Sequence, residues 1–418
     1  MTSRERVLAA LGHSESDRVP IDFSGHRSSG IAALVYPKLR CCLGLSPKPV
    51  RVYDMIQQLA IVDEDVLERF GVDTIEMGRG FLSDEKDWKD WVLPDGSECK
   101  IPYYVQVEKH GEDWYLLNDG GQELAVQKKG FLYFEQTNFP LMDRPFIDDE
   151  FSDLKDFLSQ TVWTGIASPG GHLDLDKAGL EEMACRAKAL RESSDRAVIG
   201  LFGGNMFEIP QMLFRNDNYL MYMGLYPDQV MRLSDKLCSL HLESLEKWLG
   251  AVGPYIDIVL FGDDLGGQTG PLISPQMYRQ LIKPYHRRLW KRAKELADVK
   301  VMHHCCGAVR ELLGDLIDAG LDAINPVQVN AAGMHASELK EEFGDRLTLW
   351  GGGCDTRDIL PHSSPEQVAS HVREQVRLLR TGGGFVFQQV HNILADVPPE
   401  NVVAMLDAVN SVRYSIQR

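Results

Sequence analysis

Residues 256–307 read IDIVLFGDDLGGQTGPLISPQMYRQLIKPYHRRLWKRAKELADVKVMHHCCG. Two short apolar runs, 256–262 and 299–305, flank one long helical stretch. Ser274 stands at the N-cap position of that helix and Pro275 at its first helical position, where a missing N–H leaves no bond unmade. Both runs are apolar without alternation, as strands covered on both faces are, and a helix between such strands implies a parallel pair.

The unit repeats along the chain. Further runs stand at 19–23 (VPIDF), 72–77 (VDTIEM), 197–203 (AVIGLFG), 321–327 (LDAINPV), 347–352 (LTLWGG) and 385–390 (FVFQQV), making eight in all. Helices are expected at Asp63–Phe70, at Glu181–Glu192, from Ser364 and Pro365 to the run Gly382–Gly384, and across PPENVVAMLDAVNSVRYS at 398–415. Eight strand–helix units predict an α/β fold, the (β/α)8 TIM barrel, with a doubly wound sheet as the alternative. Residues 82–145 break the rhythm with alternating runs and a turn at Asp119-Gly120-Gly121, and read as a small β-rich insertion after the second strand. Residues 146–190 read as helical. The whole of 1–418 reads as one domain carrying that insertion.

Composition narrows the function. The 418 residues are 44% hydrophobic, enough for a large core, and 61 acidic against 44 basic residues give a net charge of −17. No Lys/Arg cluster is dense enough to hold a phosphate backbone, so no nucleic-acid partner is expected. The amphipathic start MTSRERVLAALGHSESDRVP has no signal-peptide core, and no apolar run has membrane-spanning length. Eight cysteines are too sparse for a disulfide scaffold and suit a cytoplasmic setting.

A barrel of this kind carries its chemistry at the C-terminal ends of its strands. There the sequence places Glu76 and Arg79, then Gly203, Gly204 and Asn205, then Asp263 and Asp264, then His304 and Cys306. Asn325 and Gln328, Gly352, Gly353 and Cys354, and His391 and Asn392 follow. His304 and Cys306 are two apart, so on an extended strand they share a face and suit one zinc ion, while His303 and Cys305 point the other way. A third ligand must come from another strand end, His391 or Cys354. Read blandly, HHCC is core packing, and Asp-Asp before glycine is a turn or cap. The site reading assigns Asp264 and His391 catalytic roles. Glu76, Arg79, Asn205, Asp263, Gln328 and Asn392 become substrate contacts. Trp290, Tyr219, Tyr222, Tyr278 and Tyr285 lie at helical spacings and read as core.

RVPIDF, ERFGVDTIEMG, ISPQMYRQLIKPYHRRL, MHHCCGAVRELLGDLIDAGLDAINPVQ and VHNILADVPPENVVAMLDAV together resemble the uroporphyrinogen decarboxylase superfamily. The resemblance covers nearly all of the barrel but not 82–145, and it implies the same (β/α)8 fold. It implies one of two activities: tetrapyrrole decarboxylation, or zinc-dependent methyl exchange with a corrinoid protein. The decarboxylases carry an arginine-rich stretch after the first strand, where this chain has FSGHRSSG with Arg27 alone. The methyltransferases carry H-x-C-G on the fifth strand, matched by His304, Cys306 and Gly307. They carry a further ligand cysteine just before a P-x-E-N-like helix start, and His391 stands there, ahead of PPEN. Gln328 falls near where the family offers a carboxylate.

The resemblance therefore implies a zinc-dependent methyltransferase. It would move a methyl group between a small O- or N-methyl substrate and a corrinoid (cobalamin) carried by a partner protein. Asp264 would protonate the leaving group. A homodimer is one assembly open to it. The alternatives are a metal-free decarboxylase using His391 and Arg79, and a non-catalytic binding subunit.

Overall fold

The computed structural model describes residues 1–165 and 169–412. Eight parallel segments form a ring: β1 (19–23), β2 (Thr74–Glu76), β3 (Ala197–Gly203), β4 (Ile258–Gly262), β5 (Lys300–His304), β6 (Ala323–Asn325), β7 (Thr348–Trp350) and β8 (Phe385–Val386). Strands β2 to β8 make one parallel sheet in chain order. Segment β1 closes it. The Phe387 N–H donates to Pro20 O (2.9 Å), the Asp22 N–H to Phe387 O (2.8 Å) and the Asp73 N–H to Ile21 O (2.8 Å). All eight expected runs are used, and the barrel expected from them is the fold.

Alternation along each strand sorts its side chains. Ile258, Leu260, Met302, Ala323, Trp350 and Val386 meet inside the ring, while Val259, Val301, Ile324 and Leu349 pack outward on the helices. The helix Ser3–Leu11 contributes Val7, Ala10 and Leu11 to the inner cluster and so plugs its N-terminal end. Beside that plug the buried Asp73 carboxylate pairs with Arg6 (2.5 Å) and Arg18 (2.6 Å). The expected aromatic core residues Trp290, Tyr219 and Tyr278 are fully buried, Tyr285 is buried and Tyr222 packs against the core.

The insertion forms two small sheets. Gln106–His110, Asp113–Leu117, Glu123–Gln127 and Glu135–Gln136 make an antiparallel meander. Its expected turn has Asn118 Oδ1 accepting the N–H groups of Gly120 and Gln122, with Gly121 at φ 77°. Trp88–Val92 and Glu98–Pro102 instead join Val50–Asp54 and Leu59–Ala60, strands from the first loop that the sequence reading passed over. Val50 pairs with Cys99 and Arg51 with Lys100, far apart in the chain, and no local pattern reveals that.

Three other boundaries move. The stretch 146–190 is not one helical region: among its described residues the helices are Leu154–Leu158, Val162–Gly165 and the first part of Lys177–Ser193. The helix after β4 divides at Ile282 into Pro275–Leu281 and Lys283–Leu296, because Pro284 disfavours helical backbone before it and removes an N–H. The last helix runs Pro399–Ser411, and residues 413–415 of its expected span lie outside the described residues. Among the described residues no helix is long and apolar enough to cross a membrane.

Candidate functional site

Strand register brings the rim together. His304 pairs with Gly262 of β4 on one side and Asn325 of β6 on the other. The chain then turns sharply at Gly307 (φ 90°), where an added Cβ would lie 2.4 Å from the backbone of Gly266. That contact seats the loop after β4 directly on the turn after β5.

His304, Cys306 and His391 converge: their ligand atoms all lie within 4.8 Å of one another. His304 Nε2 is 3.4 Å from Cys306 Sγ, close to the edge of about 3.5 Å expected for a nitrogen and a sulfur on one tetrahedral zinc. A chain of amides fixes the tautomer. Gln388 Nε2 donates to Ser28 O (2.9 Å), so Gln388 Oε1 accepts from Asn325 Nδ2 (2.7 Å). Asn325 Oδ1 then accepts from His304 Nδ1 (3.0 Å), which leaves the Nε2 lone pair facing Cys306. Removal from water pushes His304 below its ordinary pKa and His391 down to about 3, so both imidazoles are neutral, the form that binds metal. Burial and then the Asp264 carboxylate raise the Cys306 thiol, an effect that a bound dication reverses.

The residues behind the centre are packing. His303 is fully buried against His286 and Trp290. Cys305 is fully buried and its sulfur accepts the Leu265 N–H (3.3 Å). Cys354, the alternative third ligand, does not join the convergent group, and its buried thiol is directed to Asp355 O (3.8 Å).

A cavity of about 520 Å³ opens over the centre, and His304, His391, Asp264, Asn205 and Glu76 line it. Phe202 forms an aromatic wall with Phe261 and Trp248, each 5.6 Å from it between ring centroids. Arg27 lies across the cavity, paired with Asp54 (3.3 Å) and over the Trp163 ring (5.3 Å). Burial pushes Glu76 up to about 6 despite the opposing pull of Arg27.

Four expected substrate contacts are corrected. Asp263 is fully buried and accepts the N–H groups of Met206, Phe207 and Glu208, each at 2.8 Å, and His286 Nε2 at 2.9 Å. It caps the loop after β3. Arg79 turns outward to Val62 O and lines a separate small pocket. Gln328 accepts the Gly307 N–H (2.8 Å), and Asn392 accepts the Gly30 N–H (2.8 Å). None of the four lines the large cavity. In each case an unmade backbone bond nearby claimed the side chain. Asp264 does line it, with Oδ1 accepting the Cys306 N–H (2.8 Å) and lying 3.7 Å from His304 Nε2.

Glu208 was not among the expected site residues, yet it lines the cavity. In the sequence it is one acid in the first turn of a helix, where acids commonly answer the helix dipole. Nothing local distinguished it.

Known proteins share this sequence pattern and this fold. A methylated-thiol–coenzyme M methyltransferase from Methanosarcina mazei is 31% identical over 110 residues, 25% of this chain and 26% of that protein. A uroporphyrinogen decarboxylase from Pelobacter propionicus is 28% identical over 239 residues, 54% of this chain and 63% of its own length. The chain thus spans less than two thirds of these relatives. A solved methyltransferase from Methanosarcina mazei shares the fold over 98% of both chains at 16% identity and a TM-score of 0.57. The sequence profile of Uroporphyrinogen decarboxylase (URO-D) matches residues 174–412, more than half of the molecule, and the chain belongs to that enzyme family.

Proposed function

We propose that this protein is a zinc-dependent methyltransferase that moves a methyl group between a small O- or N-methyl substrate and the corrinoid of a partner protein. The observation that carries the reading is the convergence of His304, Cys306 and His391 at the floor of the cavity. Their donor set and spacing fit zinc with a fourth position left over. Zinc bound there supplies a Lewis acid for the methylated heteroatom.

The chain's own residues do the rest. Asn325 holds His304 in the ligating tautomer. Phe202, Phe261 and Trp248 give the substrate an apolar wall, and Glu76 offers a buried acceptor to a polar substituent. Among the described residues, a tetrapyrrole with many carboxylates would meet one Lys or Arg lining the cavity, Arg27, which already faces Asp54. That disfavours the decarboxylase reading. A reduced corrinoid needs a reducing compartment, so a cytoplasmic setting belongs to the proposal.

The test is elemental analysis of protein purified without added metal, followed by turnover with methyl ethers and methylamines and a reduced corrinoid protein. One zinc per chain with corrinoid-dependent demethylation is the expected result. A protein that neither holds nor takes up zinc, or that releases carbon dioxide instead, overturns it.

A further inference from the structure

Two carboxyls face the cavity beside the centre, and the structure gives them different work. Asp264 is engaged as an acceptor by the Cys306 N–H. Glu208 is held by its own set of contacts. Asn205 Nδ2 donates to its Oε2 at 2.6 Å. The Asn205 amide lies against Gly262, where any Cβ would come within 2.8 Å of Nδ2. The Glu208 backbone is pinned by the buried Asp263 carboxylate, itself fixed by His286 and, through it, by Tyr278. So a half-buried carboxyl lines the substrate cavity and is held there by its neighbours.

We infer that Glu208 is the proton donor to the demethylated atom, and hence that the methyl donor is an O-methyl compound, whose leaving oxygen needs a proton. This rests on the methyl-transfer reading above. The methyl C–O bond breaks with its electron pair staying on oxygen. The methyl carbon bonds to the cobalt of the reduced corrinoid, which supplies the electron pair and is oxidised by two electrons. The Glu208 O–H gives its proton to the oxygen, releasing a neutral alcohol or phenol, and solvent returns the proton to the carboxylate. A methyl thioether would leave a thiolate and a quaternary ammonium would leave a neutral amine, and neither calls for this acid.

Its surroundings support the assignment. Burial, then the neighbouring Asp264 and Asp263 charges, raise Glu208 well above the ordinary carboxylate range, the direction that favours an acid over a base.

The test uses the zinc-loaded protein, a reduced corrinoid protein, and a series of anisoles whose para substituents span good to poor leaving groups. Glu208→Gln keeps the acceptor that Asn205 binds but loses the proton. The variant should lose about 100- to 10,000-fold in rate on unactivated ethers and far less on 4-nitroanisole, whose phenolate leaves unaided. A uniform loss across the series, or none, overturns the inference while leaving methyl transfer intact. So does transfer from thioethers or quaternary ammonium compounds with none from ethers. No transfer from any methylated compound overturns the methyl-transfer reading and this inference with it. Infrared spectra of the metal-free proteins give a second readout. The wild type should show a carboxylic C=O band that Glu208→Gln lacks, and an unchanged band overturns the assignment.

Discussion

His304 and Cys306 differ from His303 and Cys305 by one position, and that single step decides which pair converges with His391 and which packs behind it. A strand places successive side chains on opposite faces, so 304 points inward with Met302 while 303 points outward with Val301. His304→Ala and Cys306→Ala should therefore lose zinc by elemental analysis, and Cys305→Ala should keep it. Equal retention in all three would remove the centre from these residues. Glu76 yields a pH prediction. Its folded pKa of about 6 lies above the ordinary carboxylate value, so folding disfavours its charge. The penalty is complete above pH 6, fades as pH falls toward 4.5, and is absent below. Glu76→Gln should thus be more stable than wild type by about 2 kcal/mol at pH 8 and no more stable at pH 4 in urea titrations. His304, Cys306 and Glu76 stood out in the sequence as chemically active groups at strand ends. Glu208 did not, because its role depends on a cavity wall built by other strands.

At the scale of elements, the loop after β3 and the strand end of β4 act as one unit. The helix Glu208–Phe214 has no side-chain cap of its own, and Asp263 supplies one from the neighbouring strand. Asp263→Asn replaces one acceptor oxygen with a donor facing N–H groups. The expected loss is about 3 kcal/mol in urea unfolding, together with slower turnover in the proposed methyl transfer as Glu208 is released. Full stability in that variant would mean that the loop is held by other contacts. The sequence revealed Asp263 as either a cap or a substrate contact. It could not choose, since the N–H groups it satisfies lie more than fifty residues earlier. Local signals did better where the partner is local: Ser274 accepts the Met277 N–H, and Ser364 forms a capping box with Gln367.

For the whole molecule, the centre ties distant strand ends together. His304 ends β5, Cys306 follows it, and His391 follows β8, with the His304 and His391 rings 5.5 Å apart. Zinc that binds only the folded barrel should raise its melting temperature, by about 2.7 kcal/mol of stabilisation at a hundred times Kd. Calorimetry with and without zinc should show the shift in wild type and in Cys354→Ala, and lose it in His391→Ala. The opposite pattern for the last two would make Cys354 the third ligand.

What the sequence by itself determined is whatever repeats at short range. Eight apolar runs, their helices, the glycine turns and the inward face of His304-x-Cys306 follow from periodicity and capping chemistry within a dozen residues. Tertiary structure alone decided which polar side chains reach the cavity. Arg79, Asp263, Gln328 and Asn392 sit at strand ends as Glu76 and Asn205 do, but each was claimed by an unsatisfied backbone group from elsewhere in the chain. The pairing of Val50–Asp54 with the insertion, the plug formed by Ser3–Leu11 and the place of Glu208 have the same origin. Each depends on contacts across long sequence separations, which closing the barrel creates and no local pattern encodes.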